Sequence, residues 1–365
     1  MLRCLNQISR PLDIVSMKMS KQVTHCDFMP LIDEETNLTD LVLSNRVKSN
    51  FFFENGIISD VHGNKFTLWR RDGFESWWIF FEEIMDSSLG RKLANAACDE
   101  EEKLLQNGVL DATGFFAKKK QIKLFSDRWE LHGWGRPDYS SKLIHNSGLS
   151  MAFAGLFQAG FEYIEKQRYK MRWQDINSEL IKLDLEKSDI SLPIPAGQNN
   201  PQIKGENLTL NLEPEWKIDG KRYHLIPVGI FSRLLTSCLG FPAQIVSDER
   251  NCWPDEQDSF IAMAIASKNL FIRGEELFLA ADESGWKSSI GALFSKRGLG
   301  EAKKVSFIDN NGGVEIEFGT FSSIPLLLGL LAGAWTRCEG RPVKCEYDLD
   351  KGALKIRLYS KNKIA

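Results

Sequence analysis

The chain has 365 residues, 43% of them hydrophobic and 26% charged, with 46 basic against 49 acidic side chains. Such a composition buries a full core without disulfide or metal staples, and the length exceeds what one core usually serves, so two domains of roughly 150 residues are expected. A formal charge of -3 provides no global field to draw in nucleic acid or anionic membrane, and leaves only a local basic patch for such a role.

Residues 1–50 read as an N-terminal extension. Arg3, Arg10 and Lys18 with a single acidic residue, Asp13, make a weak organelle-targeting pattern, without the apolar stretch of a secretory signal, and Met17 or Met19 offers an alternative start. His25-Cys26-Asp27 could hold a soft metal only with a distant partner. The seven cysteines (Cys4, Cys26, Cys98, Cys238, Cys252, Cys338, Cys345) include no CxxC pair, which argues against a disulfide framework or zinc ribbon and for a reducing, cytoplasmic setting.

Residues 51–186 read as a first α+β repeat. The turn at His62-Gly63-Asn64 and the alternation through Trp69 predict a hairpin. Phe74, Trp77, Trp78 and Phe81 fall on one helical face. With Phe80 they offer more aromatic surface than one stripe needs, so Trp77 and Phe81 are candidates to line an apolar pocket, with core packing the plainer alternative. Glu82 and Glu83, the acidic run 99–102 and the basic run Lys118–Lys120 read as solvated faces. In His132-Gly133-Trp134-Gly135-Arg136, glycine lets backbone come close while indole and guanidinium offer stacking and an anion contact, so Trp134 and Arg136 are candidate ligand contacts. His132 and His145, with Asp138, form a candidate acid/base or metal cluster, although the spacing matches no compact metal motif.

Residues 187–215, rich in proline, glycine and asparagine, read as a linker. Residues 216–365 then repeat the grammar of the first half. Residues 62–82 align without gaps to 219–239, bringing Leu234, Leu235 and Cys238 onto the face held by Trp77, Trp78 and Phe81. Residues 161–185 align to 334–358 with Arg168/Arg341, Asp175/Asp348, Lys182/Lys355 and Leu185/Leu358 identical. The preceding helices carry small residues (Gly155, Ala159, Gly160; Gly329, Ala332, Gly333), which suits either close packing or a pseudo-twofold contact between the two helices. Ile324–Trp335 is too short to cross a bilayer and is interrupted by Pro325, so no transmembrane segment is expected. Gly298-Leu299-Gly300 beside Lys296 and Arg297 reads as a loop, and no phosphate loop, dinucleotide fingerprint, HExxH or GxSxG motif occurs.

The segments LGRKLANAACDEEEKLL (89–105), RWELHGWGRPDYSSKLIHNSG (128–148) and GLFQAGFEYIEKQRYKMRW (155–173) resemble the 4-vinyl reductase domain family in a Gly-rich helix start, a strand after a GWG-like turn, a glycine-bearing helix and a closing hairpin. The second half is similar from Val314 to Leu358. The resemblance implies an antiparallel sheet backed by helices around an apolar small-ligand pocket. Metal-binding members carry an acidic residue and cysteines in the terminal hairpin; the nearest positions here are Trp173, Ile176 and Glu179, then Glu346, Asp348 and Gly352, with only Cys338 and Cys345 nearby, so that family's zinc chemistry is not expected.

The sequence therefore predicts an α/β (α+β) fold of two tandem, diverged copies of an antiparallel sheet backed by helices, in a pseudo-twofold arrangement. The expected function is noncatalytic binding of an apolar or aromatic small molecule, or presentation of a surface to a protein partner; the cofactor is unknown and nucleic acid is disfavoured. Its alternatives are an enzyme with a site near the Gly133–Arg136 turn and a structural subunit of a larger assembly.

Overall fold

The computed structural model describes residues 39–191 and 205–362; His25-Cys26-Asp27 and the alternative starts lie outside them. In chain order the described residues form α1 (Leu41–Asn50), the meander β1 (Phe51–Glu54), β2 (Ile57–Asp60) and β3 (Lys65–Arg70), then α2 (Arg71–Met85), α3 (Gly90–Leu105) and α4 (Ala117–His132). The hairpin β4 (Arg136–Asp138) and β5 (Leu143–His145), α5 (Ser150–Glu165), and the hairpin β6 (Tyr169–Asn177) and β7 (Leu180–Lys187) complete the first half. The short strands β8 (Glu206–Asn207) and β9 (Lys217–Ile218) precede β10 (Lys221–Pro227), α6 (Gly229–Ser237), α7 (Ser247–Arg250), α8 (Asp258–Arg273), α9 (Glu283–Leu293) and a 3-10 turn at Ser295–Arg297. The chain closes with β11 (Gly300–Phe307), β12 (Val314–Phe321), α10 (Ile324–Glu339), β13 (Val343–Asp350) and β14 (Ala353–Ser360).

The fold is mixed α and β, with antiparallel sheets backed by helices. Two four-stranded sheets, ordered β4-β5-β7-β6 and β11-β12-β14-β13, repeat one topology, and a six-stranded sheet β8-β1-β2-β3-β10-β9 joins the halves. Its β3–β10 pair is antiparallel and places Leu68 opposite Leu225, the two residues matched in the ungapped alignment of 62–82 with 219–239. Phe66 faces Pro227 and Arg70 faces Tyr223, so the register is the same read from either strand. A pseudo-twofold axis therefore runs between the two leucines, as at the interface of an isologous dimer.

Helices are exchanged about this axis. α2 packs on α8 of the other half, and α6 packs on α3. Trp77 Nε1 donates to Ser267 Oγ at 3.1 Å across the first contact, and Arg233 Nε reaches Glu100 at 2.7 Å across the second. The small-residue helices do not meet at the axis; each packs on a helix of its own half. A Cβ added to Gly155 would lie 2.1 Å from the Ala94 carbonyl of α3, and one added to Gly329 would lie 2.0 Å from the Ala264 carbonyl of α8. Only glycine lets those backbones approach.

Strand register also revises the second alignment. Tyr169 pairs with Lys187 as Val343 pairs with Ser360, yet Asn177 pairs with Leu180 as Asp350 pairs with Ala353. The bulge between Asp175 and Asn177 adds one residue to β6, so positions before it match one residue later than an ungapped alignment implies. Lys182/Lys355 and Leu185/Leu358 stay equivalent, whereas Arg168 matches Pro342 and Asp175 matches Leu349.

The central sheet separates two clusters. Trp69 and Ile226 face the main core, which runs through both halves, while Phe66, Leu68 and Leu225 face a smaller cluster. Leu43 and Val47 from the segment read as an extension, and Leu208 and Leu212 from the segment read as a linker, cover that second face. The acidic run is not a solvated face: Glu100 and Glu101 are buried, and Glu101 takes Arg128 in a two-pronged pair at 2.6 and 2.7 Å. Glu82 accepts from the Leu89 amide at 2.7 Å, ahead of α3. No helix among the described residues is long and apolar enough to cross a membrane.

Candidate functional site

The sequence candidates converge on the end of α4, and the structure divides them. α4 stops at Gly133, in the left-handed region at φ 74°, and Gly135 follows at φ 94°. A Cβ on Gly135 would lie 2.4 Å from the His145 carbonyl, and one on Gly133 would lie 2.7 Å from both the Trp216 ring and the Tyr223 carbonyl. The intervening Trp134 is fully buried, donates Nε1–H to the Leu225 carbonyl at 2.8 Å, and lies against His132 with ring centres 4.5 Å apart. It rivets the α4 cap to β10. Trp77 and Phe81 are likewise fully buried, stacked on each other in the main core.

His132 and His145 line different cavities. His132 is buried, with Nδ1 2.8 Å from the Arg128 carbonyl, and it borders a cavity of about 330 Å³ with Asp60, His62 and Arg46. Burial, helped by Arg128, pushes its pKa well below the ordinary histidine value. His145 lies opposite Arg136 in the β4–β5 ladder and borders an open cleft with Asp138 and Tyr139. Ser140 and Ser141 hold the Asp138 carboxylate, lowering its pKa to about 2. Among the described residues, no three His, Cys, Asp or Glu side chains are arranged to hold a metal ion.

Arg136 also lines a third cavity, of about 200 Å³, with Gly133, Gly135, Asn146, Glu130 and Asp40 of the first half and Glu215, Trp216, Arg222 and His224 from the segment leading into β10. Its charges are settled with one exception. Asp40 caps α1 through the Leu43 amide, Glu130 pairs with Arg46, and Arg222 bridges Glu215 at 2.6 Å and Glu179 at 2.8 Å. Arg222 holds the Glu215 carboxyl below its usual range. The Arg136 guanidinium has no hydrogen-bond or ion-pair partner among the described residues.

His224 is the other open group. It is 1% exposed, and Nδ1 contacts the Gly133 carbonyl, which requires that nitrogen to carry the proton. Nε2 is then a bare lone pair, and it has no partner. Burial lowers the His224 pKa to about 4, so the imidazole is neutral at pH 7. Beside it, Glu215 and Trp216 are consecutive non-glycine residues at φ 62° and 59°, a conformation that costs of order 1–3 kcal/mol per residue. It is held by Trp216 Nε1 donating to the Glu130 carbonyl at 2.7 Å and by the Tyr223 amide donating to the Trp216 carbonyl at 2.9 Å.

Sequence reasoning missed His224, Trp216, Arg222 and Glu215 because they lie beyond the first half. One signal was legible: His224 aligns with Thr67, and both are buried polar residues in apolar strands that meet at the axis. The Gly298–Gly300 segment is a packed turn, with the Gly298 backbone against the Phe66 carbonyl, and Arg297 pairs with Glu276.

Comparison with protein-family models, with curated proteins and with solved structures found no significant match.

Proposed function

We propose that the protein is a noncatalytic binding protein that holds a small aromatic acid in the cavity between the α4 cap, the β4–β5 hairpin and residues 215–224. The carrying observation is the Arg136 guanidinium, the one cation on the wall of that cavity without a protein partner among the described residues, since Arg222 is held by Glu215 and Glu179. A ligand carboxylate pairs with Arg136 through charge-assisted hydrogen bonds, and the Trp216 side of the cavity offers a ring to pack against. Size points the same way, because an apolar cavity of about 150 Å³ takes up benzene, so about 200 Å³ accommodates one ring with one small acidic group. The charged lining shifts the ligand away from the purely apolar molecule that composition suggests.

Catalysis at the Gly133–Arg136 turn draws no support from His132 and His145, which border separate cavities. The shared strand order and the Leu68–Leu225 axis support reading the halves as diverged copies of one unit, and kinship with the 4-vinyl reductase domain family is in keeping with antiparallel sheets backed by helices. The test is a thermal-shift series with single-ring aromatic carboxylates bearing an amino or hydroxyl group. Saturation of the native protein is expected to raise the melting temperature by several degrees, since ligand at 100 times Kd adds about 2.7 kcal/mol. Arg136→Ala is expected to abolish the shift while leaving the melting temperature of the free protein unchanged, since Arg136 is exposed and makes no ion pair among the described residues. If no such acid moves the native protein, the reading fails.

A further inference from the structure

The loop between α3 and α4 ends in Gly114-Phe115-Phe116 and runs directly into Lys118, Lys119, Lys120 and Lys123 of α4. Phe115 is 96% exposed and Phe116 is 64% exposed, and the two rings touch only edge to face, 5.1 Å apart. Isolated exposed apolar residues are ordinary, but two adjacent phenylalanines standing in water at a loop tip form a patch with no folding role. Gly114, at φ 90°, has nothing within 4 Å of where a Cβ would sit, so the tip projects into open space.

The charges that follow this tip along α4, as far as Lys123, are all basic. Lys118 is neutralised by Glu165 at 2.7 Å, whereas Lys119, Lys120 and Lys123 are exposed and carry no ion pair among the described residues. The first turn of α4 contains no acidic residue. Phe116, Lys119, Lys120 and Lys123 recur at helical spacings of three, four and seven, which puts the aromatic ring and the free ammonium groups on one side of the first two turns. The chain is net acidic, so this cationic surface is local to the aromatic tip.

We propose that Phe115, Phe116 and the lysines of the first two turns of α4 form a docking face for membranes rich in anionic lipid. Aromatic rings settle at the headgroup boundary, and lysines extend flexible stems toward phosphate and carboxylate headgroups. Reversible peripheral binding needs this pairing of shallow apolar insertion with a basic cluster, since either alone is marginal. This face is separate from the cavity that borders Arg136 and His224.

The experiment is co-sedimentation of the full chain with vesicles of phosphatidylcholine alone and of phosphatidylcholine with roughly 30% phosphatidylserine. The native protein is expected to pellet with the anionic vesicles, and far less with neutral ones. Raising the salt to about 1 M is expected to release it, as the screening length falls to ~3 Å. Phe115→Ala/Phe116→Ala and Lys119→Glu/Lys120→Glu are each expected to weaken binding at least tenfold, with thermal unfolding unchanged because all four side chains are exposed. Failure to bind anionic vesicles overturns the proposal, as does equal binding by the phenylalanine variant. Binding to duplex nucleic acid that depends on the lysines and not on the phenylalanines, without vesicle binding, would make the face a nucleic-acid contact instead.

Discussion

At the scale of single residues, His224 combines two roles that pull against each other. Its Nδ1 contact with the Gly133 carbonyl ties β10 to the α4 cap, while its buried Nε2 is left open. A histidine held neutral by burial makes stability depend on pH in a definite sense. The unfolded chain binds a proton at its ordinary pKa of 6.5 and the folded chain only near 4, so stability is complete above 6.5 and is lost as pH falls toward 4. The full loss is about 3 kcal/mol for this residue. Denaturant titrations between pH 7.5 and pH 4 (roughly the span of both pKa values) are expected to show that decline, flattened in His224→Asn. His132 is displaced in the same direction, so part of the slope is expected to persist in the variant. Neither histidine's protonation was legible in the sequence, because desolvation depends on what surrounds a ring in space. A histidine in a strand or at a helix end looks alike whether it is wet or dry.

At the scale of elements, the helix pairs α3–α5 and α8–α10 are set by glycine. Gly155 and Gly329 each face a backbone carbonyl at a distance no Cβ tolerates, and a backbone has no rotamer with which to yield. Gly155→Ala and Gly329→Ala are therefore expected to force the helices apart and to cost about 1–3 kcal/mol each, as overpacking does. Gly291 is the internal control. It lies within α9 with nothing within 4 Å of its would-be Cβ, so Gly291→Ala is expected to stabilise by about 0.5–1 kcal/mol. Urea midpoints of the three variants measure the contrast. Small-residue spacing in the sequence announced a close contact, but its partner was undefined, since the same pattern suits a helix against a helix, a sheet or its own counterpart. The bulge in β6 was hidden for a similar reason: an extra residue between two strands becomes visible only when their hydrogen-bonded pairs are known.

At the scale of the whole molecule, the two halves are interleaved. α2 buries Trp77 against α8, α6 buries its apolar face against α3, and the main core is continuous across both. Neither half can close its core alone. Residues 1–191 and 205–365 expressed separately are expected to lack the native circular dichroism signal and to recover it when mixed or co-expressed, and the intact chain is expected to melt in one calorimetric transition. Two independent transitions, or a folded isolated half, would contradict the interleaving. The cavity bordered by Arg136 and His224 follows from the same design, because its walls come from the α4 cap of one half and the approach to β10 of the other.

By itself the sequence determined the fold class, antiparallel sheets backed by helices, since this follows from hydrophobic periodicity and turn residues. It also singled out the Gly133–Arg136 turn, whose glycines record a close approach. Tertiary structure alone decided that Trp134, Trp77 and Phe81 belong to the core, that Glu100 and Glu101 are buried in ion pairs, and that Arg136 and His224 border one cavity. Burial, pairing and convergence are properties of three-dimensional neighbourhoods, and residues about ninety positions apart in the chain, such as Gly133 and His224, become neighbours only when β3 and β10 meet at the axis.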